Sequence, residues 1–239
     1  MFGVLVPYIT FDFTPPYMVQ YKGTFASAKK KKGGFCSMKK LLITLLSIIT
    51  LVLVLSVGVF AQATTHTVVK GDSLWKIANK YQVGLSEIKN ANPQIANYDL
   101  IYPGQKIKIP TIDNSVLNYE KEVVRLVNVE RAKRGLSSLT YNWELSRVAR
   151  YKSQDMKNNG YFSHTSPTYG SPFQMMKSFG ITYKTAGENI ARGYKTPESV
   201  VEGWMSSSGH RANILNSSFT KIGVGYESNG HYWTQMFTG

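Results

Sequence analysis

The sequence predicts an α+β protein: a small βααβ module, then a larger α+β domain or α-β-α sandwich, after an N-terminal signal segment. Three observations carry this. β-prone runs bracket two short helical stretches between residues 64 and 110. Several longer stretches after residue 117 repeat apolar residues at helical spacing, with two strand-like runs near the end. The texture changes at Pro110, where polar Thr111–Ser115 reads as a short joint and sets a linker over 111–116.

Composition supports a folded chain. Of 239 residues 43% are hydrophobic and 18% charged, which excludes a wholly disordered protein. The one cysteine, Cys36, excludes a disulfide framework and a Cys-rich zinc site. The net charge is +14, with seven lysines and one acid in residues 1–63. Such a balance fits nucleic acid, anionic lipid or an anionic wall polymer. The N-terminal segment chooses among them.

Leu41–Phe60 is a 20-residue run without charge, preceded by Met38-Lys39-Lys40 and followed by Ala61-Gln62-Ala63. A basic start, an apolar stretch and an A-x-A site make a secretory signal over 38–63, cleaved before Thr64. Twenty helical residues also span about 30 Å, so an uncleaved anchor is the alternative. Both readings place residues 64–239 outside the cytoplasm, with no nucleic acid as partner, and cleavage leaves no stable membrane span. A signal begins near its own methionine, so Met38 is expected to be the start and residues 1–37 a non-native upstream extension. The alternative is a real basic extension.

In the small module, Thr67–Val69 reads as a strand and Gly71 as a turn. Asp72 or Ser73 caps a helix whose Leu74, Ile77, Ala78 and Tyr81 face a core. Ser86–Lys89 opens a second short helix, stopped by Asn92-Pro93, and Pro103-Gly104-Gln105 turns into the strand Lys106–Ile109. Two S-x-x-K matches, at Ser73 and Ser86, read as solvated helix faces rather than nucleophiles. Val69–Leu74, Ile77-Ala78, Asn92-Pro93 and Tyr102–Pro110 together resemble the LysM module. The resemblance implies binding of peptidoglycan or a related N-acetylglucosamine glycan between two loops, here Gly71, Asp72, Ser73 and Leu74 facing Ile95, Leu100 and Ile101. Acetamido groups need backbone partners beside an apolar wall, which a glycine-bearing loop provides.

In the larger segment, Tyr119–Arg134 is the first helix, ended by Gly135, and Trp143–Met156 the second. Ser171-Pro172-Phe173-Gln174 is a capping box opening a third, ended by Gly180, and Thr196-Pro197-Glu198 opens a fourth. Thr220–Tyr226 and His231–Phe237 are strands joined by the turn Glu227–Gly230.

The segment contains no P-loop, no G-x-S-x-G and no H-E-x-x-H. Its candidates for chemistry are His164, Glu188, His210 and His231. Imidazoles and a carboxylate in turn-rich contexts can share a proton or hold a divalent cation such as zinc. The alternative for Glu188 is a carboxylate tying two loops through backbone amides.

Phe162-Ser163-His164, Gly187–Ala191, Gly203-Trp204-Met205, Ser208–Arg211, Ile222–Gly225 and Tyr232–Gln235 occur in the order found in the CAP superfamily of cysteine-rich secretory, antigen 5 and pathogenesis-related proteins. The segment 117–239 resembles a bacterial CAP domain. The resemblance implies an α-β-α sandwich whose cleft often carries two His and two Glu. His164 matches the first His and Glu188 the first Glu. Ser207 stands where the second Glu is usual. Trp233 is inserted before Thr234-Gln235, which displaces His231 by one position and turns it to the other face of its strand. The candidate cleft, catalytic or metal-binding, is therefore His164, Glu188 and His210, with His231, Ser207 and Gln235 as neighbours.

Three functions compete. The first is a secreted, extracellular wall-associated protein that binds peptidoglycan through LysM and displays a CAP domain for a ligand or partner, in envelope or spore-coat assembly. The second is a wall-polymer hydrolase using His164 and Glu188. The third is a lipid or small-molecule carrier walled by Phe173, Met175, Met176 and Phe179.

Overall fold

The computed structural model describes residues 64–239. The signal or anchor segment, the upstream extension, Cys36 and the lysine-rich run lie outside the described residues. No helix among those described is long and apolar enough to cross a membrane.

The first layer is small. Strand β1 (Thr64–Thr67) pairs antiparallel with β2 (Lys106–Ile109), His66 opposite Ile107. The strand expected over Thr67–Val69 thus begins and ends earlier. The cause is His66, which is buried and hydrogen-bonded to Asp72 Oδ2 at 2.8 Å and Tyr81 Oη at 3.2 Å, and so fixes which residues of this run face inward. Between the strands lie α1 (Leu74–Tyr81) and α2 (Leu85–Ala91). Ser73 caps α1 by accepting the Lys76 amide at 3.2 Å, while Asp72 accepts the Val69 amide. Leu74, Ile77, Ile88, Ile95 and Ile107 form one core. Fully buried Asn92 closes it, donating to Ile88 O and Lys108 O and accepting the Lys108 amide, each at 2.8 Å.

The second part is a four-stranded sheet in the order β3-β5-β6-β4, built from β3 (Thr140–Tyr141), β4 (Ala186–Arg192), β5 (Lys221–Glu227) and β6 (Tyr232–Thr238). Only β3 and β5 run parallel. Met236 of β6 packs with α4 (Trp143–Asn158) and α5 (Pro172–Ser178) on one face. Its neighbours Trp233 and Phe237 pack on the other, with α3 (Asn114–Ala132), α6 (Pro197–Ser206) and α7 (Ser208–Ile214). The α-β-α layering follows from this period-2 alternation.

Three local differences from sequence expectation have physical causes. Helix α3 starts inside the polar joint because Asp113 accepts the Ser115 amide at 2.7 Å and caps it. Glu188 lies on strand β4, not in a turn, held between Ala186 and Arg192 by pairing with β6. His210 lies on helix α7, fastened to β4 by Asn213, whose Nδ2 donates to Glu188 O at 3.1 Å and Asn189 Oδ1 at 2.9 Å. Buried Arg131 donates to Ser137 O, Ile214 O and Asn216 O, tying α3 to the end of α7.

Candidate functional site

On the α4 face, the sheet presents Glu188 beneath an ordered loop. Asp155 of α4 organises that loop: it accepts hydrogen bonds from Ser166 Oγ (2.6 Å), Thr168 Oγ1 (2.6 Å), Asn159 Nδ2 (2.7 Å) and Tyr161 Oη. Burial pushes the Asp155 carboxyl up, but the bonds from Ser166, Thr168 and Tyr161 outweigh it and hold the group below its ordinary range. Lys152, one residue position short of a full turn before Asp155, is fully buried and donates to His164 O at 2.9 Å and Tyr161 Oη at 3.1 Å. Its burial lowers its own pKa, against the neighbouring carboxylates Glu188 and Asp155.

This scaffold brings His164 Nδ1 to 2.7 Å from Glu188 Oε1. The His164 side chain is 54% exposed and that of Glu188 1%. Burial raises the Glu188 pKa, opposed by the His164 bond and the Lys152 charge. Two buried atoms lack partners among the described residues, Glu188 Oε2 and Gln235 Nε2. An exposed imidazole backed by a buried carboxyl can relay a proton, or hold a ligand that presents a hydrogen-bond donor.

The remaining candidates sit differently. His210 donates nothing to Glu188; its carbonyl accepts Asn189 Nδ2 at 3.0 Å, and burial lowers its pKa, with a further contribution from His164. His231 stands in the β5–β6 turn with φ +52°, bonded through Nδ1 to Tyr226 Oη at 2.7 Å, and contributes nothing to the His164–Glu188 pair. Ser207 joins α6 to α7, and Gln235 accepts Asn189 Nδ2 at 3.1 Å. Among the described residues no three His, Cys, Asp or Glu side chains converge as a metal site. Of the expected trio, His164 and Glu188 share a hydrogen bond, and His210 stands near enough to His164 to feel its charge.

The second site is a groove of about 200 Å³ beside α1, lined by Asp72, Ser73, Leu74 and Trp75 on one side and Tyr98, Asp99, Leu100 and Ile101 on the other. Asp72, held below its ordinary range first by the His66 bond and then by the Val69 amide, presents a fixed carboxylate there. Gly71 adopts φ +91° to turn the chain, and its carbonyl accepts Lys76 Nζ at 2.7 Å. Ile95 belongs to the core, not to the groove wall. Sequence reasoning missed Trp75, Lys89 and Tyr98. Trp75 carried a signal, since it is the aromatic residue on the polar side of the α1 pattern.

Family models match both parts: the LysM domain over residues 66–110 and the cysteine-rich secretory protein family, CAP, over 124–238. The chain carries a LysM module followed by a CAP domain. Protein YkwD of Bacillus subtilis is 65% identical over 126 residues, covering 53% of this chain and 49% of YkwD. The N-acetylmuramoyl-L-alanine amidase sle1 of Staphylococcus aureus is 35% identical over 202 residues, covering 74% of this chain and 60% of sle1. SpoIVD-associated factor A of Bacillus subtilis is 61% identical over 46 residues, covering 19% of this chain and 12% of that protein. The chain therefore spans half or less of several curated relatives. The crystal structure of an extracellular SCP-domain protein from Bacillus anthracis superposes with TM-score 0.50 at 33% identity, covering 57% of this chain and 47% of that one.

Proposed function

We propose that this is a secreted, cell-wall-associated protein whose LysM module holds an N-acetylglucosamine glycan of peptidoglycan and whose CAP domain binds a ligand or partner. The groove beside α1 carries this reading. It combines an apolar wall (Leu74, Leu100), an exposed indole (Trp75, 64% exposed) and fixed polar groups (Asp72, Ser73). Sugars need this combination, because their faces are apolar and their edges polar. A LysM–CAP organisation fits wall association, and the basic charge suits an anionic wall. Envelope or spore-coat assembly is a setting in keeping with the match to the spore coat assembly protein ExsA of Bacillus cereus, 56% identical over 46 residues.

The test is co-sedimentation of the full chain with isolated peptidoglycan, alongside Trp75→Ala. Trp75 is exposed, so its truncation leaves the fold intact while weakening retention about tenfold, the value of one aromatic contact. Unchanged retention would remove the groove from the reading.

The hydrolase is a second reading, favoured by one observation: a buried Glu188 with a raised pKa beside an exposed His164 resembles an acid–base pair. Newly released muropeptides that vanish with Glu188→Ala would establish it. Retention without release leaves the binding protein. Of the carrier's four candidate walls, Met175 and Met176 are fully buried in the α4–α5 core and Phe179 packs against it, which leaves Phe173 exposed.

A further inference from the structure

Where the LysM module meets the CAP domain, a pocket of about 170 Å³ lies between the end of α1 and the start of α3. Val83 and Ile109 of the module, Ile112 of the joint and Leu117 of α3 give it apolar walls. Arg150 of α4 is the one charged side chain among its lining residues. That side chain is 11% exposed and spends only Nε on Glu120, in bonds of 2.8 and 2.9 Å. Its two Nη amino groups have no partner among the described residues. No described carboxylate lines the pocket. Asp113, between Ile112 and Asn114, is turned to α3, where it accepts the Ser115 amide and hydroxyl at 2.7 Å each. Glu120 lies behind the guanidinium, and burial raises its pKa to about 7, so near neutral pH it offsets Arg150 only in part. In the adjoining pocket of about 160 Å³, which Arg150 also lines, Glu87 is matched by Arg147.

We propose that this pocket holds the free carboxyl terminus of a short peptide with small apolar side chains. The two Nη groups of a guanidinium form a planar fork that takes a carboxylate through parallel hydrogen bonds. The sign of the ligand follows, because an ammonium would meet Arg150 as a like charge. A single guanidinium among apolar walls suits a single negative charge. A phosphate polymer would have to bring further charges against Val83 and Leu117 without partners. The volume is below the roughly 300 Å³ at which pockets for drug-sized ligands begin, so it admits a terminal residue of alanine size and little more. Exposed Gln82 and Asn114 line the same pocket with side-chain amides, which can bond the preceding peptide unit. Peptide stems of the bacterial wall, with alanine methyls beside a terminal carboxylate, have this chemistry. The choice of a wall peptide rests on the proposed wall association; the carboxylate and its apolar neighbour do not. Glycan held in the LysM groove would raise the local concentration of peptides attached to it.

The experiment titrates the full chain with N-acetyl-Ala-Ala, as the free acid and as its C-terminal amide, followed by amide shifts in nuclear magnetic resonance. The expected result is saturable shifts at Gln82, Thr111 and Tyr141 with the acid, and at least tenfold weaker binding of the amide, the worth of a charge-assisted bond. Arg150→Gln should lose the same factor. Because that change also releases Glu120, Thr111→Trp serves as a second variant. Thr111 is exposed, so folding is not at risk, and the indole fills the pocket from the joint. It too should lose at least tenfold. No binding, equal binding of the amide, shifts confined to the LysM groove or the His164–Glu188 cleft, or an unaffected Thr111→Trp chain would each overturn the inference. Sedimentation of the parent chain with peptidoglycan separates the two readings. If peptide binding fails while sedimentation persists, the wall reading stands; if sedimentation fails while peptide binding holds, the pocket stands and the wall reading falls.

Discussion

Arg147 of α4 grips Glu87 of α2, with Nη2 2.9 Å from Oε2 and Nε bonded to Oε1. Tyr151 donates to the same carboxylate at 2.9 Å, and Ser86 Oγ meets Arg147 at 2.8 Å. The guanidinium also lies over Phe179, 5.0 Å from the ring centre. The LysM helix is thereby clasped to the CAP helix that carries Lys152 and Asp155. Burial pushes the Glu87 carboxyl up, but the Arg147 and Ser86 bonds outweigh it and lower its pKa. A depressed carboxyl contributes stability that is present above its unfolded value of 4.5 and lost as pH falls through the folded value. Arg147→Ala is expected to cost about 1–2 kcal/mol at pH 7 and less under acid conditions. Urea unfolding at pH 7 and pH 3 checks this; an equal loss at both values would mean the clasp contributes packing and not charge.

Gly223 and Gly225 let α4 lie directly on β5. A Cβ at Gly223 would come within 2.3 Å of Leu145 C and Ser146 N, both backbone atoms that cannot move alone. Gly223→Ala should destabilise by about 1–3 kcal/mol through forced separation of helix and sheet. Gly209 has open space at the same position. Gly209→Ala should be neutral or better, since alanine favours its helix. Thermal melts of the pair make the comparison, and a tolerated Gly223→Ala would refute the close approach.

Glu120 is fully buried, accepts two bonds from Arg150 Nε at 2.8 and 2.9 Å, and accepts the Tyr226 amide at 3.2 Å. Burial outweighs Arg150 and raises its pKa to about 7. A raised carboxyl contributes stability that is complete below the unfolded value of 4.5 and is lost as pH rises to about 7. Glu120→Gln should therefore flatten the stability profile across that window, by a few kcal/mol at most, roughly 1.4 for each pH unit. Denaturation at pH 4.5, 5.5 and 7 gives the profile. A parent chain whose stability does not fall over this range would show Arg150 holding the carboxylate charged.

What the sequence made legible was whatever local chemistry decides. The Ser171–Gln174 capping box and the Ser73 cap formed where their side chains can reach the amides. The strand over residues 232–237 was legible from its β-prone run, and in the fold its Trp233 and Met236 face opposite layers. Strand β4 was not legible, because Gly187 and Asn189 weaken any strand pattern and its extension depends on pairing with β6. His66 was passed over because its burial depends on Asp72 and Tyr81, partners that only the fold assembles. The His164–Glu188 contact joins residues 24 apart that no spacing rule connects.

Glu188 offers the sharpest test of the CAP cleft. Its Oε1 bonds His164, but its Oε2 is buried without a partner among the described residues, an arrangement that penalises a charged carboxylate. Burial accordingly raises its pKa, so its contribution to stability is complete below 4.5 and diminishes as pH rises through the folded value. Glu188→Gln keeps the size, the carbonyl acceptor for His164 and a neutral amide. At pH 4 it should match the parent chain; at pH 8 it should be as stable or more stable, by about 1 kcal/mol. Calorimetric melting at the two pH values measures this. A variant less stable at pH 8 would mean that Lys152 and His164 hold Glu188 ionised, and the cleft would then present a fixed negative charge to its ligand in place of a protonated carboxyl.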